Sequence, residues 1–246
     1  MSWWLVSFAR GGAARYISHL DTMRVVQRTF ARAGIELALS QGMRPKPRLS
    51  LPLPLPTGAA ALDELAVVEV AEETAAAVLP ERLRALRGAA AEGFVFERLT
   101  LAGERPRPQA TAAAYECRLR APCAAVEAAL AAFAAEPEVG VLRRSPKGSR
   151  TVELKKYVGE LSASPCDADT KVCFTLRYGP GGSARVDEVV GALSARLGIE
   201  PVVLDLVRVH VSWQGLRPRP SVAAGKMASG EASGFADTKE MTSSER

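Results

Sequence analysis

RYISHLDTMRVVQRTFARAGIELALSQGMRPKPRLSLPLPLPTG, residues 15–58, is the stretch on which the reading of the fold turns. Ser18 followed three residues later by Asp21 is a helix start of the capping-box kind, with a shorter carboxylate than usual. Leu20, Met23, Val26 or Gln27, and Phe30 recur at helical spacing and mark a core face. Gly34 is placed to close the helix in a left-handed conformation. Arg24, Arg28 and Arg32 stand four apart in one row on the opposite side, with Asp21 the sole acid beside them. Ile35–Leu39 reads as a short strand and Ser40-Gln41-Gly42 as a turn. Pro45 and Pro47 hold their neighbours extended and withhold N–H groups, so Arg44, Lys46 and Arg48 sit on a stiff elbow. Leu49, Leu51, Leu53 and Leu55 then alternate with Ser50, Pro52, Pro54 and Pro56, the pattern of a half-buried strand confined by its prolines to a sheet edge.

Outward from this stretch the chain reads as strand and helix in a fixed order. Trp3–Ala9 is a first strand and Leu65–Ala71 another; Glu72–Arg87 is helical with an interruption at Pro80, and Gly93–Leu101 is a further strand. The polar residues 102–112 read as a linker. Beyond it, Ala114–Arg120 is a strand and Cys123–Ala135 a helix. Val139–Arg144 and Arg150–Glu160 form a hairpin around Pro146-Lys147-Gly148-Ser149. Val172–Tyr178 is a strand, Val186–Leu197 a helix capped by Gly198, and Pro201–Trp213 the last strand. The fold class this predicts is α+β, as two tandem ferredoxin-like βαββαβ domains over residues 1–101 and 113–215. Residues 216–246 are Pro, Ser, Gly and charge without periodicity, and a disordered tail is expected there.

The chain carries a net charge of +5 and only two histidines. His19 and Asp21, two apart on a helix, point in different directions, so a direct dyad is not expected; His19 is the one weak catalytic candidate. The four cysteines, Cys117, Cys123, Cys166 and Cys173, show no metal-ligand spacing and no CxxC, and no metal site is expected. No phosphate loop, nucleophile elbow or paired-carboxylate motif is present. No apolar run is long enough for a membrane span and the N-terminus lacks a signal-peptide layout, so the expected location is the cytoplasm. A second basic cluster, Arg143, Arg144, Lys147 and Arg150 with Lys155 and Lys156, surrounds the hairpin, opposed by Glu153. Lysine and arginine so grouped can neutralise phosphates and release counterions.

The run Ser18-His19-Leu20-Asp21, the arginine-bearing helix, Ser40-Gln41-Gly42 and the Pro45–Pro56 elbow and strand resemble the signature of the radical SAM-linked protein family. Members of that family occur alone or fused behind a B12-binding radical SAM module. Met43-Arg44 replaces the family's Phe-Asn, and Lys46 stands where it has His; a phosphate contact survives that change, whereas a role resting on the imidazole does not. The resemblance implies a partner, a radical SAM protein encoded nearby, that would carry the iron–sulfur cluster, S-adenosylmethionine and cobalamin. This chain has no CxxxCxxC and would hold no cofactor itself.

Taken together, the expected function is a non-catalytic companion or substrate-presenting module that binds RNA or an RNA-associated substrate. Its expected phosphate contacts are Arg24, Arg28, Arg32, Ser40, Gln41, Arg44, Lys46 and Arg48, with Arg143, Arg144, Lys147 and Arg150. A stand-alone RNA-processing enzyme of the tandem ferredoxin-like type is the first alternative, and a protein–protein scaffold the second.

Overall fold

The first strand shows how this chain builds its core. In β1 (Ser2–Arg10) Trp4, Val6 and Phe8 alternate inward and are fully buried. They meet α1 (His19–Arg32) through Trp4 and Phe30, whose rings lie 6.2 Å apart. Phe8 packs on Phe94 and Phe96 of β4 (Phe94–Ala102) at 6.0 and 5.8 Å. Burying each such ring stabilises the fold by about 2–3 kcal/mol. Between these lie β2 (Leu49–Ser50), β3 (Ala60–Val70) and α2 (Leu79–Ala89). The second half of the chain follows with β5 (Gln109–Leu119), α3 (Cys123–Ala135), β6 (Gly140–Ser145), β7 (Gly148–Glu153), β8 (Val158–Cys166), β9 (Asp169–Arg177), α4 (Val186–Leu197) and β10 (Val203–Gln214). A computed structural model supplies this architecture and describes residues 1–146, 148–198 and 202–216.

The protein is a mixed α+β structure. Its main sheet runs β4-β1-β3-β10-β5-β9-β8, with β2 also paired to β3, while β6 and β7 form a separate hairpin. All pairings are antiparallel except β3–β10, which is parallel and short: Val207 opposes Ala60 and Arg208 opposes Ala61. One core lies between β1, β3, β4 and the helices α1 and α2; a second lies between β5, β9 and the helices α3 and α4.

The leucine–proline run departs from the strand its alternation predicts. Only Leu49 and Ser50 pair with β3, because Pro52, Pro54 and Pro56 have no N–H to give a ladder. The run instead forms a strap across the seam of the two halves. Leu51 is buried in the first core, Leu53 packs against the second, and Leu55 joins a small cluster with Ala59, Ala61 and Leu206. Arg208, 1% exposed, fastens it. Its guanidinium donates to the carbonyls of Leu53 (3.0 Å) and Pro54 (3.1 Å) and to the Glu64 carboxylate (2.9 and 2.5 Å). Burial alone would lower the Arg208 pKa, but Glu64 and the Tyr115 hydroxyl outweigh it and the net shift is upward. Arg10, also buried, donates to the Thr22 hydroxyl at 2.5 Å and to the Ala59 carbonyl, and Glu64 and Arg208 both act on its charge.

Other elements differ from their predicted bounds for local reasons. Ile35–Leu39 makes only two isolated bridges, Leu37 to Val70 and Leu39 to Pro47. Pro80 does not interrupt a helix beginning at Glu72; it sits in the first turn of α2, where a missing N–H costs nothing. The predicted strand Arg150–Glu160 breaks at a 3-10 turn over Leu154–Lys156, where Glu153 turns its carboxylate onto the Lys155 N–H. Leu20 is 60% exposed: at 100° per residue it lies about 120° from Val26 and 80° from Phe30, off the face that Thr22, Val26, Thr29 and Phe30 bury. The connection between halves spans residues 103–108, shorter than the predicted linker, because β4 and β5 extend into it. Most of the predicted tail lies outside the described residues.

Candidate nucleic-acid interface

Helix α1 is framed as its end residues dictate. The Ser18 hydroxyl accepts from the Asp21 N–H at 3.1 Å and donates to the Asp21 carboxylate at 2.7 Å. At the other end Gly34 (φ +68°) allows a Schellman closure, with Gly34 N–H on Ala31 and Ile35 N–H on Phe30. Arg24, Arg28 and Arg32 project from this frame as exposed side chains. Arg24 also donates to Asp21 at 2.7 Å, and the Ser18 hydroxyl followed by Arg24 holds the Asp21 pKa below the usual carboxylate value.

The elbow is a closed finger. Ser40 N–H donates to the Lys46 carbonyl (2.8 Å), and the Lys46 N–H returns a bond to the Ser40 hydroxyl (3.0 Å). Arg48 N–H closes the base on Ala38 at 2.8 Å. Everything between these clasps, Gln41 to Lys46, is exposed, and Met43 at the tip is fully so. Gly42 turns the chain there at φ +132°, a conformation no L side chain takes readily. Ser40 thus holds the loop shut through its own polar groups, while Gln41, Arg44 and Lys46 face outward. Arg48 is exposed as well, but its guanidinium is held at 2.6 Å by the nearly buried Glu69 of β3.

A pocket of about 370 Å³ lies between helix and finger, bordered by Gln27, Ala31 and Gly34 on one side and by Leu37, Pro47 and the exposed acid Glu36 on the other. Arg28 and Arg32 each stand one residue round the helix from that border. The structure therefore sets the helix row beside the finger's base, so that Arg28, Arg32, Arg44 and Lys46 are exposed cations on adjoining segments. The hairpin cluster divides differently. Arg143 is bound bidentately by Glu188 of α4 (2.6 Å to each oxygen) and to the Ser183 carbonyl, and Glu188 raises its pKa further. Arg144 and Arg150 are exposed, and Lys147 lies outside the described residues.

His19 is half-buried, and Asp21 is committed to Ser18 and Arg24, so these two do not form a dyad. His210 instead meets Asp63 at 3.1 Å. Among the described residues no cluster of His, Cys, Asp or Glu could hold a metal ion. Cys117 is buried in the second core, and burial pushes its thiol pKa up to about 12, far from the reactive range. No described helix is long and apolar enough to cross a membrane. Sequence reading missed two features: the exposed Met43, whose signal was the preceding Gly42, and the buried Arg208–Glu64 pair, for which charge pattern gives no signal at all.

Among solved structures, the chain is similar to one titled "Crystal Structure of a Cbf5-Nop10-Gar1 Complex", at 11% identity and a TM-score of 0.48, over 85% of this chain. The chain spans about half, 48%, of the length of that neighbour. No curated protein matches it. A family model does, over residues 4–186, from Trp4 to the first residue of α4 and so across the helix, finger and strap together. On that span the chain belongs to the family described as "Uncharacterized protein conserved in bacteria (DUF2344)".

Proposed function

We propose that this protein is a non-catalytic, RNA-binding companion of a B12-dependent radical SAM protein, presenting RNA or an RNA-associated substrate to it. The observation that carries the binding half is the exposure of Arg28, Arg32, Arg44 and Lys46 on a capped helix and an adjoining clasped finger. Guanidinium groups offer a planar fork of donors that matches phosphate oxygens and stays charged at every physiological pH. A finger closed at its base loses little conformational freedom on binding. The companion half rests on the resemblance of residues 18–56 to the radical SAM-linked signature; cluster, S-adenosylmethionine and cobalamin belong to that partner. The strand orders β4-β1-β3-β2 and β10-β5-β9-β8 support reading each half as ferredoxin-like, since both follow the 4-1-3-2 plan of a βαββαβ unit. A stand-alone RNA-processing enzyme is the weaker reading, because Asp21 is already engaged by Ser18 and Arg24 and does not orient His19.

The test is RNA affinity across a salt series, for the parent chain and for Arg28→Ala/Arg32→Ala/Lys46→Ala. Loss of three phosphate contacts to a single strand flattens the log–log salt slope by about 2. Equal slopes for two equally folded proteins would show that these cations do not carry the ligand.

A further inference from the structure

Strand β6 has a free edge. It pairs with β7 and with no other strand among the described residues. Leu154 N–H donates to the Val139 carbonyl at 2.9 Å, in phase with the pairs Val141–Val152 and Arg143–Arg150. Bonded pairs therefore fall on the odd-numbered residues, and Gly140, Leu142 and Arg144 turn their N–H and C=O groups away from β7.

Those groups open into a groove of about 660 Å³. One wall is the continuous run 138–144, and the other is the face of α4 that carries Glu188, Gly191, Ala192 and Ala195; no β7 residue reaches it. The helical wall is cut low: a Cβ built on Gly191 would meet nothing within 4 Å. Leu142, 57% exposed, stands on the strand wall. An open strand edge facing a helix across a gap is the geometry in which an extended peptide adds as one more strand, main-chain bonds giving affinity and the gap taking alternate side chains. The sheet's own outer strand β8 is protected differently, with Pro165 and an exposed Glu160.

The charges give the groove a direction. Arg143 is neutralised by Glu188 and Arg196 by Glu136, and these pairs show that α4 runs opposite to β6. What remains is Arg144, Arg185 and Asp187 at one end, net positive, and Glu138 at the other. We propose that the groove between β6 and α4 docks an extended peptide segment of a partner protein, added antiparallel to β6. Its N-terminal end would carry an acidic residue against Arg144 and Arg185, and its C-terminal end a basic residue against Glu138. This site is independent of the RNA reading.

The probe is the blocked peptide Glu-Thr-Val-Val-Thr-Leu-Lys, titrated into the full chain and followed by fluorescence anisotropy and by backbone amide NMR. Saturable binding is expected, with the largest amide shifts at Gly140, Leu142 and Arg144. N-methylation of the third and fifth peptide residues, which face Leu142 and Gly140, should weaken it at least about tenfold, and reversing the end charges should also weaken it. Gly191→Phe, which fills the gap at an exposed helical site and leaves the melting curve intact, should act like N-methylation. Absence of saturable binding by about 1 mM, or indifference to both N-methylation and Gly191→Phe, overturns the proposal. Displacement of the peptide by a short oligouridylate would assign the groove to nucleic acid instead. Shifts in residues 217–246 on titration would assign it to the chain's own C-terminal segment. Either result overturns the partner peptide.

Discussion

Replacing Arg208 by methionine is the sharpest single perturbation of this fold. The guanidinium is 1% exposed and donates two hydrogen bonds to Glu64 and one each to the Leu53 and Pro54 carbonyls, with the Tyr115 hydroxyl also acting on it. Methionine fills much of the volume but leaves the Glu64 carboxylate buried, with Arg10 the nearest remaining cation of the cluster. Removing one member of a buried pair costs about 3–5 kcal/mol, and each stranded carbonyl adds up to about 1–3 kcal/mol unless water reaches it. The strap's carbonyls are nearer the surface than Glu64, so water recovers most of the second cost. We expect about 4 kcal/mol, which for a chain of this size lowers Tm by about 8–16 °C. Urea denaturation with an unchanged m-value measures it directly. The companion variant Glu64→Gln/Arg208→Met removes both charges and should recover more than half of the loss, since most of the cost is the orphaned carboxylate and not the missing attraction. Destabilisation below about 1 kcal/mol in the single variant, or no recovery in the double, would refute this account of the seam.

Two further outcomes follow from particular groups. Burial works to raise the Glu188 pKa, but the Arg143 hydrogen bonds and the Arg185 N–H overcome it and the folded value lies below the ordinary 4.5. The stability this pair contributes is therefore complete above pH 4.5 and lost as pH falls through the lower folded value, so Glu188→Gln should flatten the parent's acid-side stability profile in urea titrations. A Cβ on Gly93 (φ +79°) would stand 2.6 Å from the Gly11 carbonyl oxygen, whereas one on Gly34 (φ +68°) meets nothing, so Gly93→Ala should cost more than about 3 kcal/mol and Gly34→Ala about 1 in the same assay.

Local chemistry was readable wherever one residue decides one bond. Ser18 and Gly34 bracket α1 as their types demand, and Val186–Leu197 is helical to the residue. What escaped sequence reading depends on partners far along the chain. Alternating leucines look the same whether they line a ladder or bridge two cores, and only the position of β10 tells Leu51 from Leu53. Arg48 and Arg143 looked like free cations because Glu69 and Glu188, which bind them, lie 21 and 45 residues away. Arg28, Arg32, Arg44 and Lys46 remained exposed as their setting suggested, on a helix face and a proline-stiffened loop, and among the described residues none of them is tied to an acid in an ion pair.

The strap and its buried arginine also impose an order of events on folding. Glu64 and Arg208 are 144 residues apart, and β10 is the last strand of the sheet to leave the ribosome. Until it arrives, β3 keeps one edge without its parallel partner, Glu64 has no guanidinium to bury against, and the Leu53 and Pro54 carbonyls have no donor. The N-terminal half can gather its aromatic core early, from contacts short in sequence, yet its seam side must stay wet through most of synthesis. A chain ending before β10 therefore lacks the donor that Glu64 and the strap carbonyls use in the finished fold, so burial of this seam depends on the last strand of the sheet.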